Sequence, residues 1–439
     1  MTDITITKET SAYFPQNLDS VVDFSTLSYN FQRFRTLESS CDESQLNFNL
    51  QSTDSFKCLS DAKLHITYKI STTAVLADGT DYLMLNNAIG IYNRYRLSFN
   101  GEIVEDKLSY SGASTDMMNM VFNDKTINKS AYAAYYPDSS PSIGDTVGPT
   151  GTANSLSYIK RQKRHGTIAS NAVVTTVAIP LCDIFNVLSR RFISNAQEIQ
   201  IILDRNTVLE DLIYSNKTKA QLTNLTLQVQ DIYLSVPFVR MSLDAINEML
   251  SIKSIELPYL PFSCQRSPLI PTATLEYTWT LPTLKNIHSV IIGCKFANRI
   301  KETTYPSSIW DNVKFDTAHI KLNSVVYPVN SLKSKNTNSY NNYLDMYNSL
   351  CVNNTLSPYQ DNNILIDYEN YDNNFLIYFD LSHHSEDVFS NSSVSNLEFY
   401  FDKVDATAGD FYIYATLISQ RKLVLDTSVA NTVVVKSIN

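Results

Sequence analysis

Two distant stretches of the chain share one pattern, an alternating strand that runs into a turn centred on asparagine. The first, residues 95–103, reads YRLSFNGEI and places Asn100-Gly101 at the turn. The second, residues 319–328, reads HIKLNSVVYP and places Asn323-Ser324 at the turn, with Pro328 close behind. Asn and Gly accept positive φ readily, so both patterns are typical of hairpins. A pattern that recurs about half a chain later predicts two related domains.

The composition favours strands over helices in both domains. The 439 residues suffice for two domains of ordinary size, each with its own core. Hydrophobic residues make up 44% of the chain, and charged residues only 18%, below the roughly 25% typical of soluble domains. The 27 Tyr and 20 Phe suit pleated sheets, whereas the many Asn and Ser suit turns. We therefore expect an all-β fold of two tandem eight-stranded jelly rolls with a few short helices and long loops.

Charge and cysteine usage exclude several classes of function. A net charge of −9 argues against extensive direct contact with nucleic acid. The six cysteines show neither a CxxC motif nor a Cys/His cluster at metal spacing, so we expect free thiols and no cofactor. The polar start of the chain predicts no signal peptide, and no apolar run reaches the roughly 20 residues needed for a transmembrane segment.

Local patterns place several elements along the chain. Residues 64–70 alternate apolar and polar side chains, as a half-buried strand does. Residues 225–236 alternate with a one-residue change of phase, which predicts a β-bulge. Residues 375–381 are apolar except for Asp380 and are expected to be a buried strand. Residues 242–250 and 343–350 have helical spacing, and Ser242 is a suitable N-cap.

The same patterns divide the chain. Residues 107–170 depart from the strand pattern and hold a large share of the ten glycines. They read as a long loop insertion that opens with a short helix near Ser114, with Met117, Met120 and Val121 on one side. The predicted division is an N-terminal arm over 1–30, a first jelly roll over 31–241, a linker helix over 242–252 and a second jelly roll over 253–439.

One basic run stands out in the loop insertion. It comprises Lys160, Arg161, Lys163 and Arg164, followed by His165. As a surface basic patch it could bind a genome, glycans or a receptor. A solvated loop explains the same residues without any ligand, and we favour that interpretation.

No set of residues predicts catalysis. Asp183 and Asp380 each follow an apolar strand and could be read as a carboxylate pair for glycoside hydrolysis, but turn or capping roles explain both. His383-His384 lacks further ligands at metal spacing. The chain also contains no G-x-S-x-G motif that would present a nucleophilic serine. The sequence therefore predicts a protein that is not an enzyme.

Taken in order, several segments resemble the double jelly-roll major capsid proteins of the Polinton/adintovirus-like and large DNA virus lineage. The resemblance extends over about residues 30–425. In the first half, the similar segments are Asp78-Gly79, Asn86-Asn87, Tyr95–Gly101, Pro180–Phe185 and Asp231–Val239. In the second half, they are Tyr277–Trp279, Asn286–Phe296, Phe315–Pro328 and Phe375–Leu381.

This resemblance implies a structural role in a virion. It implies a homotrimeric, pseudo-hexameric capsomer, hexon-like in outline, that tiles an icosahedral capsid around a DNA genome. The partners would be further copies of the chain, minor capsid proteins and penton proteins. The 107–170 loop would form outward towers, and the 1–30 arm would tie neighbouring capsomers together from inside. Two alternatives remain: a carbohydrate-binding or hydrolytic β-sandwich protein, and a minor virion or spike protein.

Overall fold

The computed structural model of the chain describes most of both halves. The described residues are 26–51, 56–76, 81, 83–107, 109–122, 172–189, 198–209, 212–215, 217–244, 246–247, 254–282, 286–300, 302–305, 307, 309–337, 340–353, 366, 368–382, 396–403, 407, 409–426 and 432–437.

The described elements are mainly strands. The strands are β1 (Thr26–Arg35), β2 (Gln45–Gln51), β3 (Phe56–Lys57), β4 (Lys63–Ser71), β5 (Leu83–Leu85), β6 (Tyr92–Phe99), β7 (Glu102–Lys107), β8 (Ala172–Pro180), β9 (Glu198–Arg205), β10 (Ile213–Ser215), β11 (Thr226–Met241), β12 (Ser254–Tyr259), β13 (Phe262–Arg266), β14 (Glu276–Leu281), β15 (Ile287–Phe296), β16 (Thr317–Leu322), β17 (Val325–Lys333), β18 (Lys335–Thr337), β19 (Tyr340–Asn342), β20 (Leu376–Asp380), β21 (Leu397–Asp402), β22 (Phe411–Ser419), β23 (Arg421–Asp426) and β24 (Thr432–Ser437). The α-helices are α1 (Ser111–Phe122), α2 (Leu181–Ile184), α3 (Ala297–Ile300) and α4 (Leu344–Asn353).

Both halves of the chain build the same pair of antiparallel sheets. In the first half the sheet orders are β1-β11-β4-β8, with β3 attached to β11, and β2-β9-β6-β7. In the second half they are β13-β22-β15-β20 and β14-β21-β16-β17. When the eight strands in these two orders are ranked by their position in the chain, with β3 left out, both halves follow 1-8-3-6 in one sheet and 2-7-4-5 in the other. This is jelly-roll connectivity, and the chain has it twice.

The first core follows the predicted alternation closely. On β4, Leu64, Ile66, Tyr68 and Ile70 are buried, whereas the intervening side chains are half-exposed. The predicted β-bulge is confirmed, because the register of β11 against β4 shifts between Val229 and Asp231. The bulge lets one long strand keep apolar side chains inward on both sides of the phase change.

The second core has a sheet that is covered on both faces. Strand β20 is buried over Leu376–Phe379, as its apolar run predicts. Strand β22 alternates in sequence, yet Tyr414, Thr416 and Ile418 are buried as well as their neighbours. The reason is tertiary, since α1 packs against β22 and α4 packs against β20.

In three places the structure shows contacts that the predicted division of the chain does not contain. Strand β1 pairs with β11 from Thr26 onward, so the first jelly roll begins within the predicted arm. Strands β12, β23 and β24 form a separate sheet, and its residues Leu257, Tyr259 and Leu423 belong to the first core although they lie in the second half. Helix α1, from the first half, belongs to the second core. A division of the sequence into consecutive domains cannot show these crossing segments, because it does not say which core each segment packs against.

The predicted linker helix is described only at its start. Residues 243, 244, 246 and 247 are helical, and the Ile246 amide donates to the Ser242 carbonyl at 3.0 Å. Ile246 packs against the first core, but Leu243 is 77% exposed, so the two do not share one buried face as the spacing predicted. Among the described residues, no helix has the length and apolar character required to cross a membrane.

Candidate functional site at the junction of the two jelly rolls

The two asparagine turns have matching geometry. Asn100 and Gly101 have φ of 47° and 85° between β6 and β7, and Asn323 and Ser324 have φ of 47° and 73° between β16 and β17. Positive φ at both central residues makes each a two-residue hairpin turn of the kind that fits strand twist.

Each turn asparagine also makes the same pair of hydrogen bonds. The Asn100 amide donates to the Glu198 carbonyl at 2.8 Å, and the Glu198 amide donates back to Asn100 Oδ1 at 3.0 Å. The Asn323 amide donates to the Asn396 carbonyl at 3.0 Å, and the Asn396 amide donates back to Asn323 Oδ1 at 3.2 Å. In both halves, the turn is thereby fastened to the start of the neighbouring strand.

The other predicted markers occupy less similar positions. Pro328 lies within the edge strand β17, beyond the turn, where a missing amide is tolerated. Asp380 ends β20, and its Oδ1 accepts the amide and hydroxyl of Ser382 at 2.9 and 2.6 Å. Asp183 lies in α2, and its Oδ1 accepts the Cys182 thiol at 3.8 Å. The two carboxylates belong to different jelly rolls.

Two predicted features lie outside the described residues. They are the basic run of Lys160, Arg161, Lys163 and Arg164, and the pair His383-His384. Within the described part of the chain, no group of three or more His, Cys, Asp or Glu side chains could hold a metal ion.

Helix α1 carries the first half of the chain into the second core. Met117, Met120 and Val121 are buried there, and the Thr416 hydroxyl donates to Met117 Sδ at 3.1 Å. A Cβ on Gly293 would lie 2.9 Å from Met117 Cε and 2.5 Å from Trp310 Cε3. Glycine at this position therefore makes room for the methionine. Burial of each such apolar side chain contributes about 1.5–3 kcal/mol.

A second contact region joins the first jelly roll to the start of the second. The Glu105 carboxylate accepts the amides of Asn186 and Val187, each at 3.2 Å. Asn186 Oδ1 in turn accepts the Leu260 amide at 2.8 Å. These bonds connect strand β7 to the segment between β12 and β13.

Lys107 is buried in the same region. Its Nζ lies 3.4 Å from the centre of the Phe262 ring, and no hydrogen-bond partner for Nζ is present among the described residues. Burial lowers the pKa of Lys107 to about 7, an effect that Glu105 and Asp183 oppose. Burial raises the pKa of Glu105 above its ordinary value, against the opposing effect of Lys107. The lysine is held by a cation–π contact and by its charged neighbour.

Hydrogen bonds also join the two halves of the chain directly. The Ser215 amide donates to the Thr303 carbonyl at 2.8 Å, and the Thr303 hydroxyl donates to the Lys217 carbonyl at 2.6 Å. The Ser307 amide donates to Asn86 Oδ1 at 3.1 Å. Together with the burial of α1 in the second core, these hydrogen bonds hold the two jelly rolls against each other.

Sequence reasoning missed most of this junction. The apolar side of α1 was visible in Met117 and Met120, but their partner sheet was not. Glu105 and Lys107 read as ordinary charged positions, while Ile103 on the same strand is 46% exposed. The register of β7 against β6 shifts between Ile103 and Glu105, which turns Glu105 and Lys107 to the face of the core residues Leu97 and Tyr95. The sequence gives no signal for that shift.

Comparisons with known proteins agree with this architecture. No family model and no curated protein matches the sequence. Among solved structures, the chain is similar to a chain of the Sputnik virophage, with a TM-score of 0.58 and 12% identity over 95% of this chain and 90% of the other. It is also similar to the mavirus major capsid protein, with a TM-score of 0.57 and 12% identity over 96% and 92%. The Faustovirus major capsid protein follows, with a TM-score of 0.53 and 9% identity over 96% and 92%. The chain therefore has the double jelly-roll fold, over nearly its whole length.

Proposed function

We propose that the chain is a major capsid protein that assembles as a homotrimer and tiles an icosahedral shell around a DNA genome. The observation that carries the proposal is the identical strand order of the two jelly rolls in one chain. Three copies of such a chain place six similar sandwiches in a ring, and a pseudo-hexagonal outline packs into a shell. The similarity to two major capsid proteins supports the proposal.

The junction suits this role. A capsomer keeps a regular outline only if the angle between its two sandwiches is constant. The exchange of α1 and of β12–β23–β24 between the cores provides that constancy, because neither jelly roll can turn without exposing the other's buried residues. Large apolar side chains such as Phe31 (57% exposed) and Val329 (85% exposed) remain on the surface of the single chain. Contacts between copies would cover such side chains.

The finer parts of the assignment are proposals as well. We infer a location in the virion and contacts with minor capsid and penton proteins. We also infer that the segment before β1 ties capsomers together and that the segment between α1 and β8 contributes to outward towers. The net charge of −9 supports a shell protein without extensive contact to the genome. No catalytic role is proposed.

The test is the mass of the purified chain by light scattering, with negative-stain images of the same peak. We expect a trimer of about 150 kDa, three times the chain mass of 49.6 kDa, with hexagon-like particles. Met117→Ala serves as a comparison, because it loosens the junction without altering the outer surface, and it should blur the hexagonal outline. A monomer that binds oligosaccharides would contradict the proposal and favour the carbohydrate-binding alternative. A trimer that never forms hexagonal arrays would favour a minor virion or spike protein.

A further inference from the structure

A cavity of about 500 Å³ lies between the two jelly rolls, beside the first turn of α1. Its wall draws on both halves of the chain and includes four cationic side chains: Lys219, Arg266, Lys295 and Arg299. The volume lies within the range of small-molecule sites. Nothing in the proposed capsid role uses this cavity.

One carboxylate in the wall is already paired. Asp311 accepts the Arg299 guanidinium through Oδ1 and the Phe296 amide through Oδ2, the latter at 2.7 Å. Burial raises the pKa of Asp311, and Arg299 opposes that effect. Asp311 and Arg299 therefore satisfy each other.

The two remaining carboxylates in the wall are also engaged. Asp116 accepts the Asn87 side-chain amide at 2.6 Å and the Ser307 hydroxyl at 3.3 Å. Glu302 Oε2 accepts the Lys219 backbone amide at 3.2 Å. These hydrogen bonds hold both carboxylates in place on the protein.

Arg266 differs from these pairs. Its guanidinium lies between two aromatic rings, 4.9 Å from the centre of Tyr110 and 4.7 Å from that of Tyr412. Tyr414 also lines the cavity. Across the described residues, Arg266 forms no ion pair with a carboxylate. The two rings hold the guanidinium in a defined position, and its N–H donors can still form hydrogen bonds to an oxyanion.

The backbone beside Arg266 is also unusual. Ser109 and Tyr110 both line the cavity and have φ of 57° and 50°. Consecutive non-glycine residues with positive φ are energetically costly and are concentrated at binding sites. Here they bring the Tyr110 ring against Arg266.

We propose that this cavity binds a small phosphate-bearing anion of the size of pyrophosphate or a nucleoside phosphate. Arg266 is the principal ligand, and Lys295 and Lys219 add positive charge. Lys295 is held in the wall by a hydrogen bond from its Nζ to the Ser307 carbonyl and by the Trp310 ring, whose centre lies 4.4 Å from Nζ. An anion bound there touches both jelly rolls and stabilises the folded chain in proportion to its concentration. The proposal does not depend on assembly into a capsid.

The test uses the full chain in phosphate-free buffer. Calorimetric titration and thermal unfolding are measured with pyrophosphate, AMP, citrate and the neutral sugar maltotriose. Arg266→Gln removes the charge but keeps a polar side chain of similar reach. Arg33→Gln is the matched control, because Arg33 also stacks on a tyrosine, 4.9 Å from the Tyr233 ring centre, but lies outside the cavity.

We expect pyrophosphate to raise the melting temperature of the wild type and of Arg33→Gln. Its affinity should fall by about 10-fold or more in Arg266→Gln, as expected for loss of a charge-assisted contact. Binding of AMP as well as pyrophosphate would identify a nucleoside phosphate as the ligand class, and binding of pyrophosphate alone a free phosphate.

Three results would overturn the proposal: no binding of either phosphate compound, equal binding in Arg266→Gln, or tighter binding of citrate or maltotriose. If Arg266→Gln does not fold, Lys219→Gln on the exposed rim replaces it, with an expected loss of affinity of about 3-fold or more.

Discussion

The phenolic hydroxyl of Tyr259 donates a hydrogen bond of 2.6 Å to the carbonyl oxygen of Val104. Tyr259 ends β12 and Val104 lies in β7, so the bond joins the segment that enters the second jelly roll to the first. Both residues are buried. The bond therefore lies at the point where the chain passes from one core to the other.

We expect Tyr259→Phe to lower the free energy of unfolding by about 1–2 kcal/mol, because it leaves a buried carbonyl without this donor. Urea unfolding measures the change. Tyr233→Phe is the control, since the Tyr233 ring stacks on His65 on an outer sheet face; that variant should change stability by less than about 0.5 kcal/mol. Equal effects for both variants would contradict the importance of the Tyr259 bond.

Gly293→Ala should be destabilising by about 1–3 kcal/mol, because its Cβ would lie 2.5 Å from Trp310 Cε3 and 2.7 Å from Leu376 Cδ2. Thermal unfolding followed by circular dichroism provides the measurement. Gly409→Ala is a matched control, with Phe296 Cδ1 as its nearest neighbour at 3.9 Å and ordinary φ. If Gly293→Ala were as stable as Gly409→Ala, then Trp310, Leu376 and Met117 could not be packed against Gly293 as described.

Met117→Ala should cost about 2–5 kcal/mol, the range for truncation of a fully buried methionine. Its particular interest is that the residue belongs to the first half by sequence and to the second core by position. We therefore expect hydrogen exchange to increase in β15 and β22, and not in β4 or β9. Faster hydrogen exchange confined to the first jelly roll would contradict the packing of α1 in the second core.

Asn100→Ala and Asn323→Ala should be similarly destabilising, by about 1–2 kcal/mol each. Each removes a side-chain acceptor and places alanine at a φ of 47°. Chemical denaturation of the two variants measures the costs side by side. Asn30→Ala, on an exposed position of β1, is the control and should have little effect. A large cost in only one half would show that the two turns are not equivalent.

The stability of the wild type should depend on pH through Lys107. Its pKa is about 7 in the folded chain and ordinarily about 10.5, so between these values the unfolded chain binds a proton that the folded chain does not. The free energy of unfolding therefore rises with pH in this window, by at most about 1.4 kcal/mol per pH unit.

The double variant Glu105→Gln, Lys107→Met should have a smaller slope than the wild type, because it removes Lys107 together with its charged neighbour. Part of the rise above about pH 8 should remain, since burial also lowers the pKa of Lys57 to about 8. Urea unfolding at pH 7, 8 and 9 measures the slope. Met117→Leu, which leaves every ionisable group in place, should keep the slope of the wild type. An unchanged slope in the double variant would show that Lys107 is not the source.

The sequence by itself determined the strand class, the repeat and the local turns of this protein. The alternation of Leu64 to Ile70, the phase change near Val229 and the asparagine turns depend on chemistry within a few residues, and period-2 burial translates directly into strand faces. The double jelly roll follows from the recurrence of these signals in one order.

Only the tertiary structure decided how the two units are joined. The burial of Lys107, the space left at Gly293 and the wall around Arg266 each involve at least one residue more than a hundred positions away. No local pattern encodes which face of β7 or β22 another segment will cover. That choice is made when the two cores close against each other, since each then buries a segment that the other half supplies.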